Sequence, residues 1–164
     1  MSGADVPPPT ASPPVRLRRR DPASPVAVAL LDTYRAEISA LFGFDATTGV
    51  SADPEEMTPP RGDFLVAYLD DVPLGCGGVK LVGPGLAELK RMWVAPQARG
   101  RGVGRALLAG LEAAARDLGA TRAVLDTHAR LEPALRLYTG GGWQEVPAYN
   151  ANPHATHWFA KSLQ

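Results

Sequence analysis

The sequence predicts an α/β protein, of the mixed α+β kind, in which helices cover both faces of a mainly antiparallel central sheet. Short apolar runs of strand length alternate with segments of helical periodicity. Turn signals at Asp70-Asp71 and at Gly83-Pro84-Gly85 fold three successive strands back on one another. A strand, a glycine turn, a helix and a strand follow in order over residues 86–127, and such a crossover adds a parallel pair to the sheet. The predicted order is β-α-(α)-β-β-β-α-β-α-β-β.

The N-terminal residues 1–14 predict a disordered tail, because they are rich in Pro, Ser and Ala. They also lack the apolar segment of a signal peptide. Residues 15–164 are then expected to form a single domain, a length that suits one hydrophobic core.

The first strand is predicted at Val15–Arg20, and a helix follows it. Ser24 is a capping residue and Pro25 fits the first helical turn. Gly43 is expected to end this helix. The apolar residues that recur at helical spacing are Val26, Leu30, Tyr34, Ile38 and Leu41.

The segment 44–62 has weak periodicity, and we expect a short helix at residues 54–57 with Asp53 as its cap. Two interpretations of its carboxylates remain open: they attract an amine substrate, or they belong to a solvated loop. These acidic residues are Asp45, Asp53, Glu55 and Glu56.

Three strands are predicted next, at Phe64–Leu69, Leu74–Val82 and Leu86–Val94. The second contains Gly75, Gly77 and Gly78, which indicates close approach of a ligand or of a neighbouring element. Cys76 is interpreted as a small core residue, because no base partner for a catalytic thiol can be assigned. As the only cysteine it forms no internal disulfide, and a cytoplasmic location is the expectation.

The C-terminal part is predicted to contain two helices and three strands. The second helix from Pro133 is expected to end at Gly140-Gly141-Gly142, and this glycine run favours an early stop. The closing hairpin has residues 150–154 as its loop. The other predicted elements are a helix at Val103–Leu118 before Gly119 and strands at Thr121–Thr127, Trp143–Tyr149 and Ala155–Leu163.

Charge and spacing limit the partners that can be expected. Acidic and basic residues number 17 each, so no electrostatic attraction to nucleic acid or to a membrane surface is indicated. No apolar run is long enough to cross a bilayer. No three-ligand metal spacing is present, so we predict no metal.

The glycine turn at residues 99–105 is the strongest functional signal, since free N–H groups at a helix start can hold a polyphosphate. A P-loop is excluded, because Arg105 and Ala106 stand where Lys and Ser/Thr are needed. A dinucleotide fingerprint fails at its third glycine, which is Arg105 here. The pattern [RQ]-x-x-G-x-[GA] is met by Arg99, Gly102 and Gly104.

That pattern is the acetyl-CoA motif of the GNAT (GCN5-related N-acetyltransferase) family, which this sequence resembles closely from about Val15 to its end. The resemblance implies the GNAT fold and acetyl-CoA as donor substrate. It implies that the turn binds the pyrophosphate and that the preceding strand splays open to pair with the pantetheine arm, a backbone N–H polarising the thioester. The implied cofactor-binding residues are Met92, Trp93, Val94, Arg99, Gly100, Arg101, Gly102, Val103, Gly104, Arg105 and Tyr138.

Two residues have catalytic roles by the same resemblance. Tyr138, in the segment Ala134-Leu135-Arg136-Leu137-Tyr138, is the candidate acid for the leaving thiolate; its alternative role is a core tyrosine of a short amphipathic helix. Glu88 is the candidate general base, and a regular strand would place it on one face with Lys90, Met92 and Val94. Its alternative role is a salt bridge to Lys90 or Arg91, or an acceptor for backbone groups of the splayed strand.

The sequence departs from the family pattern at two positions, and in relatives the second of them contacts the cofactor arm. His128 and Leu131 stand where relatives often have Asn; Leu131 removes a polar contact, and His128 is a candidate donor or base, or a plain strand-end residue. Near the C-terminus His157 either lines the acceptor pocket or packs in the hairpin. It belongs to a pattern seen in similar sequences, with Asn150, Pro153, Trp158 and Phe159.

The resemblance therefore predicts an N-acetyltransferase that transfers the acetyl group of acetyl-CoA to a primary amine of a small molecule or peptide by direct attack. A non-catalytic acyl-CoA-binding module on the same fold is the alternative. A nucleoside-triphosphate enzyme is a distant third, because the magnesium-binding hydroxyl after the glycines is absent. A homodimer is possible, since dimers are common among relatives.

Overall fold

The computed structural model describes residues 14–43 and 54–164. Its seven strands form one sheet in the order β1-β2-β3-β4-β5-β7-β6. The strands are β1 (Arg16–Arg19), β2 (Gly62–Leu69), β3 (Val72–Gly83), β4 (Leu86–Val94), β5 (Arg122–Thr127), β6 (Gln144–Val146) and β7 (His157–Ser162). Every neighbouring pair is antiparallel except β4–β5, which is parallel. The predicted mixed, mainly antiparallel sheet is thus confirmed.

Three α-helices accompany the sheet: α1 (Pro25–Phe42), α2 (Val103–Asp117) and α3 (Glu132–Gly140). Short 3-10 turns occupy Pro54–Met57 and Pro96–Ala98. The helix ends follow the sequence signals, since Gly43 at φ 70° closes α1 and its N–H donates to the Ser39 carbonyl. The expected end of α3 at the glycine run is confirmed, because the helix ends at Gly140 and the Gly141 N–H bonds to Leu137 O.

The glycines of β3 allow α2 to pack closely on one face of the sheet and the Pro54–Met57 turn on the other. A Cβ at Gly75 would lie 2.9 Å from Leu107 Cδ1, and one at Gly77 would lie 2.6 Å from Leu111 Cδ1, so this face is covered by α2. Gly78 faces the other side, against Met57. Of the two explanations for these glycines, the close approach of a neighbouring element is the one found.

Cys76 lies in the hydrophobic core between these layers and is fully buried. Burial raises the pKa of its thiol to about 12, because the thiolate would lose its hydration, and nearby Arg91 lowers it by less. The thiol donates a weak hydrogen bond to the Arg91 carbonyl at 3.5 Å. Its predicted role as a small core residue is confirmed.

A bulge in β4 overturns one expectation about the site. Arg91 has a positive φ of 59°, and the β3–β4 register skips a residue between Cys76 and Gly78. Glu88 pairs with Lys80 whereas Val94 pairs with Gly75, and these two β3 positions point to opposite faces. Glu88 therefore shares a face with Lys90 but not with Val94, because the extra residue reverses the alternation.

The closing hairpin is shorter than expected. Strand β6 ends at Val146 rather than reaching Tyr149, since Pro147 cannot donate to a ladder. Tyr149 and Asn150 instead turn toward β4 and β5. The expected disordered tail and the Asp53 cap lie outside the described residues, apart from Pro14. No helix in the described ranges is long and apolar enough to cross a membrane.

Candidate active site

A cleft opens where two parallel strands diverge. The β4–β5 ladder joins Leu86–Glu88 to Arg122–Val124 and then stops, while β5 continues along β7 to Thr127. Beyond Glu88 the two strands splay apart, and the space between them has a volume of about 880 Å³. Its walls come from α1, β4, the glycine turn, β5, α3 and the loop at residues 152–155.

The glycine turn forms one end of this cleft. Gly100 and Gly102 have φ values of 78° and 83°, and a Cβ on either would meet no atom within 4 Å. Gly102 is the N-cap of α2, so the first N–H groups of the helix face the turn. The positive φ values and the open space match a backbone that wraps around an anion.

The Arg99 guanidinium makes hydrogen bonds to the protein itself. Its Nε donates to the Val94 carbonyl at 3.1 Å, and its Nη2 donates to Glu37 Oε1. Glu37 Oε2 also accepts the indole N–H of Trp93 at 2.9 Å. Arg99 thus ties the turn to the end of β4 and to α1, and the exposed Arg101 and Arg105 remain the cations directed to solvent at this end.

Most of the predicted cofactor-binding residues line the cleft: Met92, Trp93, Val94, Arg99, Gly100, Gly102, Gly104, Arg105 and Tyr138. Two do not. The Val103 side chain is packed in the core at 1% exposure, and Arg101 is exposed beside the cleft. For Val103 only the backbone N–H remains available to a ligand.

Tyr138 lies on α3, where the sequence puts it on the apolar side of a short amphipathic helix. Its ring is 6% exposed and packs against Trp143 and Phe159, with centroids 6.2 and 5.9 Å away. Burial raises the pKa of its phenol, and the nearby Tyr34 and Asp126 raise it further. The phenol is therefore protonated throughout the neutral range, as a proton donor must be.

Glu88 is buried behind the cleft and is absent from its wall. Its Oε2 accepts a hydrogen bond from the Tyr149 hydroxyl at 2.6 Å, and its Oε1 lies 3.3 Å from Lys90 Nζ. Burial and the bond to Glu88 raise the pKa of Tyr149. The alternative expected for Glu88, a salt bridge to Lys90, is present.

His128 lines the cleft at the end of β5, and its ring meets Phe42 edge-on at 4.6 Å. The backbone N–H of Arg130 donates to His128 Nδ1 at 3.0 Å. Desolvation, followed by the charge of Arg130 and by His157, lowers the pKa of this imidazole. In the neutral form Nε2 then carries the proton, and it can donate but not accept.

Two carboxylates in the cleft wall were not predicted as site residues. Glu37 lies on α1 and binds Trp93 and Arg99, as described above. Asp126 is near the end of β5, where it accepts from Asn150 Nδ2 at 2.6 Å, Asn152 Nδ2 at 3.3 Å and Lys90 Nζ at 3.5 Å. The signal for Asp126 was its place two residues before His128 on the splayed strand; Glu37 follows Tyr34 by three residues on the same helix.

Of the two histidines near the C-terminus, His154 lines the cleft and His157 does not. His157 Nδ1 lies 2.8 Å from Thr156 Oγ1, and its Nε2 lies 3.9 Å from Glu145 on β6. Of its two expected roles, the structure shows hairpin packing. Among the described residues no group of three His, Cys, Asp or Glu side chains could hold a metal ion.

Comparisons with known proteins agree with this geometry. Residues 30–141 match the model of the Acetyltransferase (GNAT) family. An uncharacterised N-acetyltransferase of Schizosaccharomyces pombe is 35% identical over 127 residues, covering 76% of this chain and 78% of the relative. A Klebsiella pneumoniae structure described as an acyl-CoA N-acyltransferase superposes with a TM-score of 0.77 at 27% identity, covering 92% and 98% of the two chains.

A more distant structure shares the fold alone. The PaiA N-acetyltransferase from Thermoplasma acidophilum, solved with coenzyme A, gives a TM-score of 0.67 at 15% identity over 91% of this chain and 99% of that one. The fold and the family match together define an acyltransferase of the acetyl-transferring class. The chain belongs to the GNAT acetyltransferase family.

Proposed function

We propose that this protein is an N-acetyltransferase that uses acetyl-CoA to acetylate a primary amine of a small molecule or peptide within a ternary complex. The observation that carries the proposal is the divergence of β4 from β5 directly beside the open glycine turn. This arrangement offers an anion site, a strand with unpaired backbone groups and a buried phenol in one cleft.

The residues present fit the donor. The turn at residues 99–104 has room at both positive-φ glycines, and Arg101 and Arg105 add charge that suits the phosphates. The backbone of Met92–Val94 faces the opening left by β5, where a pantetheine arm can pair with it. A backbone N–H of this stretch, that of Val94 by analogy with relatives, would polarise the thioester carbonyl.

The reaction requires one bond to form and one to break. The neutral amine nitrogen attacks the thioester carbon, the carbon–sulfur bond breaks, and the thiolate takes a proton. Tyr138 is the proposed donor of that proton, because its phenol is buried in the cleft wall and stays protonated. The products are an N-acetyl amide and free coenzyme A, and the proton that the attacking nitrogen releases to water balances the one that returns to the Tyr138 oxygen from solvent.

We assign the removal of the amine proton to water. Glu88 already accepts the Tyr149 hydroxyl and faces Lys90, and it is not part of the cleft wall. His128 uses Nδ1 to accept the Arg130 N–H, so its role is a donor through Nε2. A carboxylate or imidazole must be in hydrogen-bond reach of the proton it accepts.

The engagement of Glu88 also favours the second candidate, an acyl-CoA-binding module without turnover. The two functions differ in one measurement, which is the release of free thiol when acetyl-CoA is mixed with a panel of amines. Release that depends on an amine supports the enzyme. Coenzyme A binding without release for every amine would support the module.

The donor site is tested by calorimetry with coenzyme A on Gly102→Glu. A carboxylate on the turn should repel the phosphates and lower the affinity by roughly 10-fold or more. Gly119→Glu is the matched control, because Gly119 has a φ of 91° and open space around its Cβ at the other end of α2. Full affinity in Gly102→Glu would contradict the proposed site.

A further inference from the structure

The wall of the cleft contains two carboxylates, and only one of them has a cation of its own. Glu37 pairs directly with Arg99. Asp126 shares Lys90 with Glu88, at 3.5 and 3.3 Å from Nζ. Glu88, Asp126 and the Lys90 ammonium therefore leave a surplus of one negative charge among them, on side chains that are 6%, 10% and 17% exposed respectively.

Neutral groups supply the remaining contacts of this cluster. Tyr149 donates to Glu88, and Asn150 and Asn152 donate to the two oxygens of Asp126. Residues 1–13 and 44–53 contain no Lys, Arg or His, so the segments outside the described ranges add no cationic side chain. Burying an uncompensated charge is costly, and a cation from a ligand would remove that cost.

Asp126 also lies close to the proposed reaction centre. Its charge contributes to the raised pKa values of Tyr138 and Tyr34, and both side chains line the cleft. The charge of Arg91 lowers the pKa of the Tyr34 phenol. Oδ1 of Asp126 accepts a hydrogen bond from Asn152 at 3.3 Å, and a carboxylate oxygen can accept a second one.

We infer that Asp126 binds a cationic group of the acceptor. A carboxylate stabilises the charged form of an ammonium, so the nitrogen held at Asp126 is not the nitrogen that attacks the thioester. The acceptor class is therefore an amine that carries a second, positively charged group. This inference rests on the proposed function, and it specifies the chemical class of acceptor that the same cleft binds.

The test compares 1,4-diaminobutane with butylamine, which has the same chain length and lacks the second ammonium. Thiol release is measured with the full chain and saturating acetyl-CoA. The wild type should show a kcat/KM for the diamine roughly 10- to 100-fold above that for butylamine, the range expected for a hydrogen-bonded charge pair. In Asp126→Asn the ratio should fall to about one, because the second ammonium of the diamine has lost its carboxylate partner.

Two further variants distinguish binding of the second ammonium by Asp126 from a general loosening of the loop that contains Asn150 and Asn152. Asn152→Ala removes a donor to Asp126 without changing its charge, and it should keep most of the diamine preference. Asp117→Asn makes the same chemical change at an exposed ion pair with Arg19 and should alter nothing. A diamine preference that persists in Asp126→Asn, or that is lost equally in Asn152→Ala, would overturn the inference.

The inference can be tested even if the proposed function fails. If coenzyme A binds but neither amine is acetylated, calorimetry of 1,4-diaminobutane against the coenzyme A complex replaces turnover. Binding that weakens at least 10-fold in Asp126→Asn supports the role of Asp126 in a non-catalytic module. Absence of diamine binding to the wild type, or equal binding to both proteins, contradicts it.

Discussion

Glu37 and Arg99 join the helix on one side of the cleft to the glycine turn at its end. Glu37 uses one oxygen for Arg99 Nη2 and the other for the Trp93 indole N–H, which is 2.9 Å away. Arg99 in turn donates to the Val94 carbonyl at 3.1 Å. Helix α1 and the proposed donor site are therefore connected through these side chains.

Replacing Glu37 by Gln should weaken coenzyme A binding without abolishing it. Glutamine has one acceptor oxygen for two donors, and the charge that holds Arg99 is lost. We expect the Kd for coenzyme A to rise by roughly 3- to 10-fold and the free energy of unfolding to fall by about 1 kcal/mol. Calorimetry and urea denaturation measure the two quantities.

Asp32→Asn is the control for this change, since Asp32 lies on the same helix and pairs with Arg35 at the surface. It should leave the Kd unchanged. An unchanged Kd in Glu37→Gln as well would show that Arg99 holds its place without the carboxylate.

Glu88→Gln should lower kcat by less than about 10-fold at saturating acceptor, whereas loss of a general base costs roughly 10²- to 10⁴-fold. The amide still accepts the Tyr149 hydroxyl, so the loop that follows β6 should stay in place. Steady-state kinetics from pH 6 to 9 provide the measurement. A loss of 10²-fold together with a disappearing acidic limb would instead make Glu88 the base.

Much of the fold could be predicted because its signals are local. The αL glycine after Phe42, the proline at the start of α1 and the turn residues between β2, β3 and β4 act over a few residues. The bulge at Arg91 could not be predicted, since the register of β4 is decided by packing against β3. The early end of β6 has a local signal in Pro147, which lacks the N–H that a strand ladder needs.

The site residues also fall into two groups, those with a local sequence signal and those placed by tertiary contacts. The turn from Arg99 to Gly104 is contiguous in sequence, and its place at the cleft was predicted. Glu37 and Asp126 are separated from their partners by long stretches of chain, and their roles depend on contacts that tertiary structure alone creates. In the sequence neither carboxylate belongs to a motif that would assign it these partners.

Tyr138→Phe should reduce kcat by about 10²-fold while leaving coenzyme A affinity unchanged, because the ring packing is kept and only the acidic proton is lost. Since burial raises the pKa of Tyr138, the wild type should show no loss of activity from this phenol up to pH 10. Tyr68→Phe is the control, a hydroxyl that bonds Arg20 at the far edge of the sheet. Equal kcat values for Tyr138→Phe and wild type would exclude Tyr138 as the acid.

Cys76 provides a test of the core that is independent of the site. As the only thiol, it should resist a thiol-reactive aromatic disulfide at pH 8 in the folded protein and react fully in denaturant.

The folded-state pKa of Cys76, about 12, exceeds the ordinary value of 9.0, so the stability linked to this group is complete below pH 9 and declines as the pH rises toward 12. Between pH 9 and 10 the wild type should lose about 1 kcal/mol more stability than Cys76→Ala, measured by urea denaturation. Equal losses in the two proteins, or rapid labelling of the folded chain, would mean that β3 opens far more readily than its packing against α2 indicates.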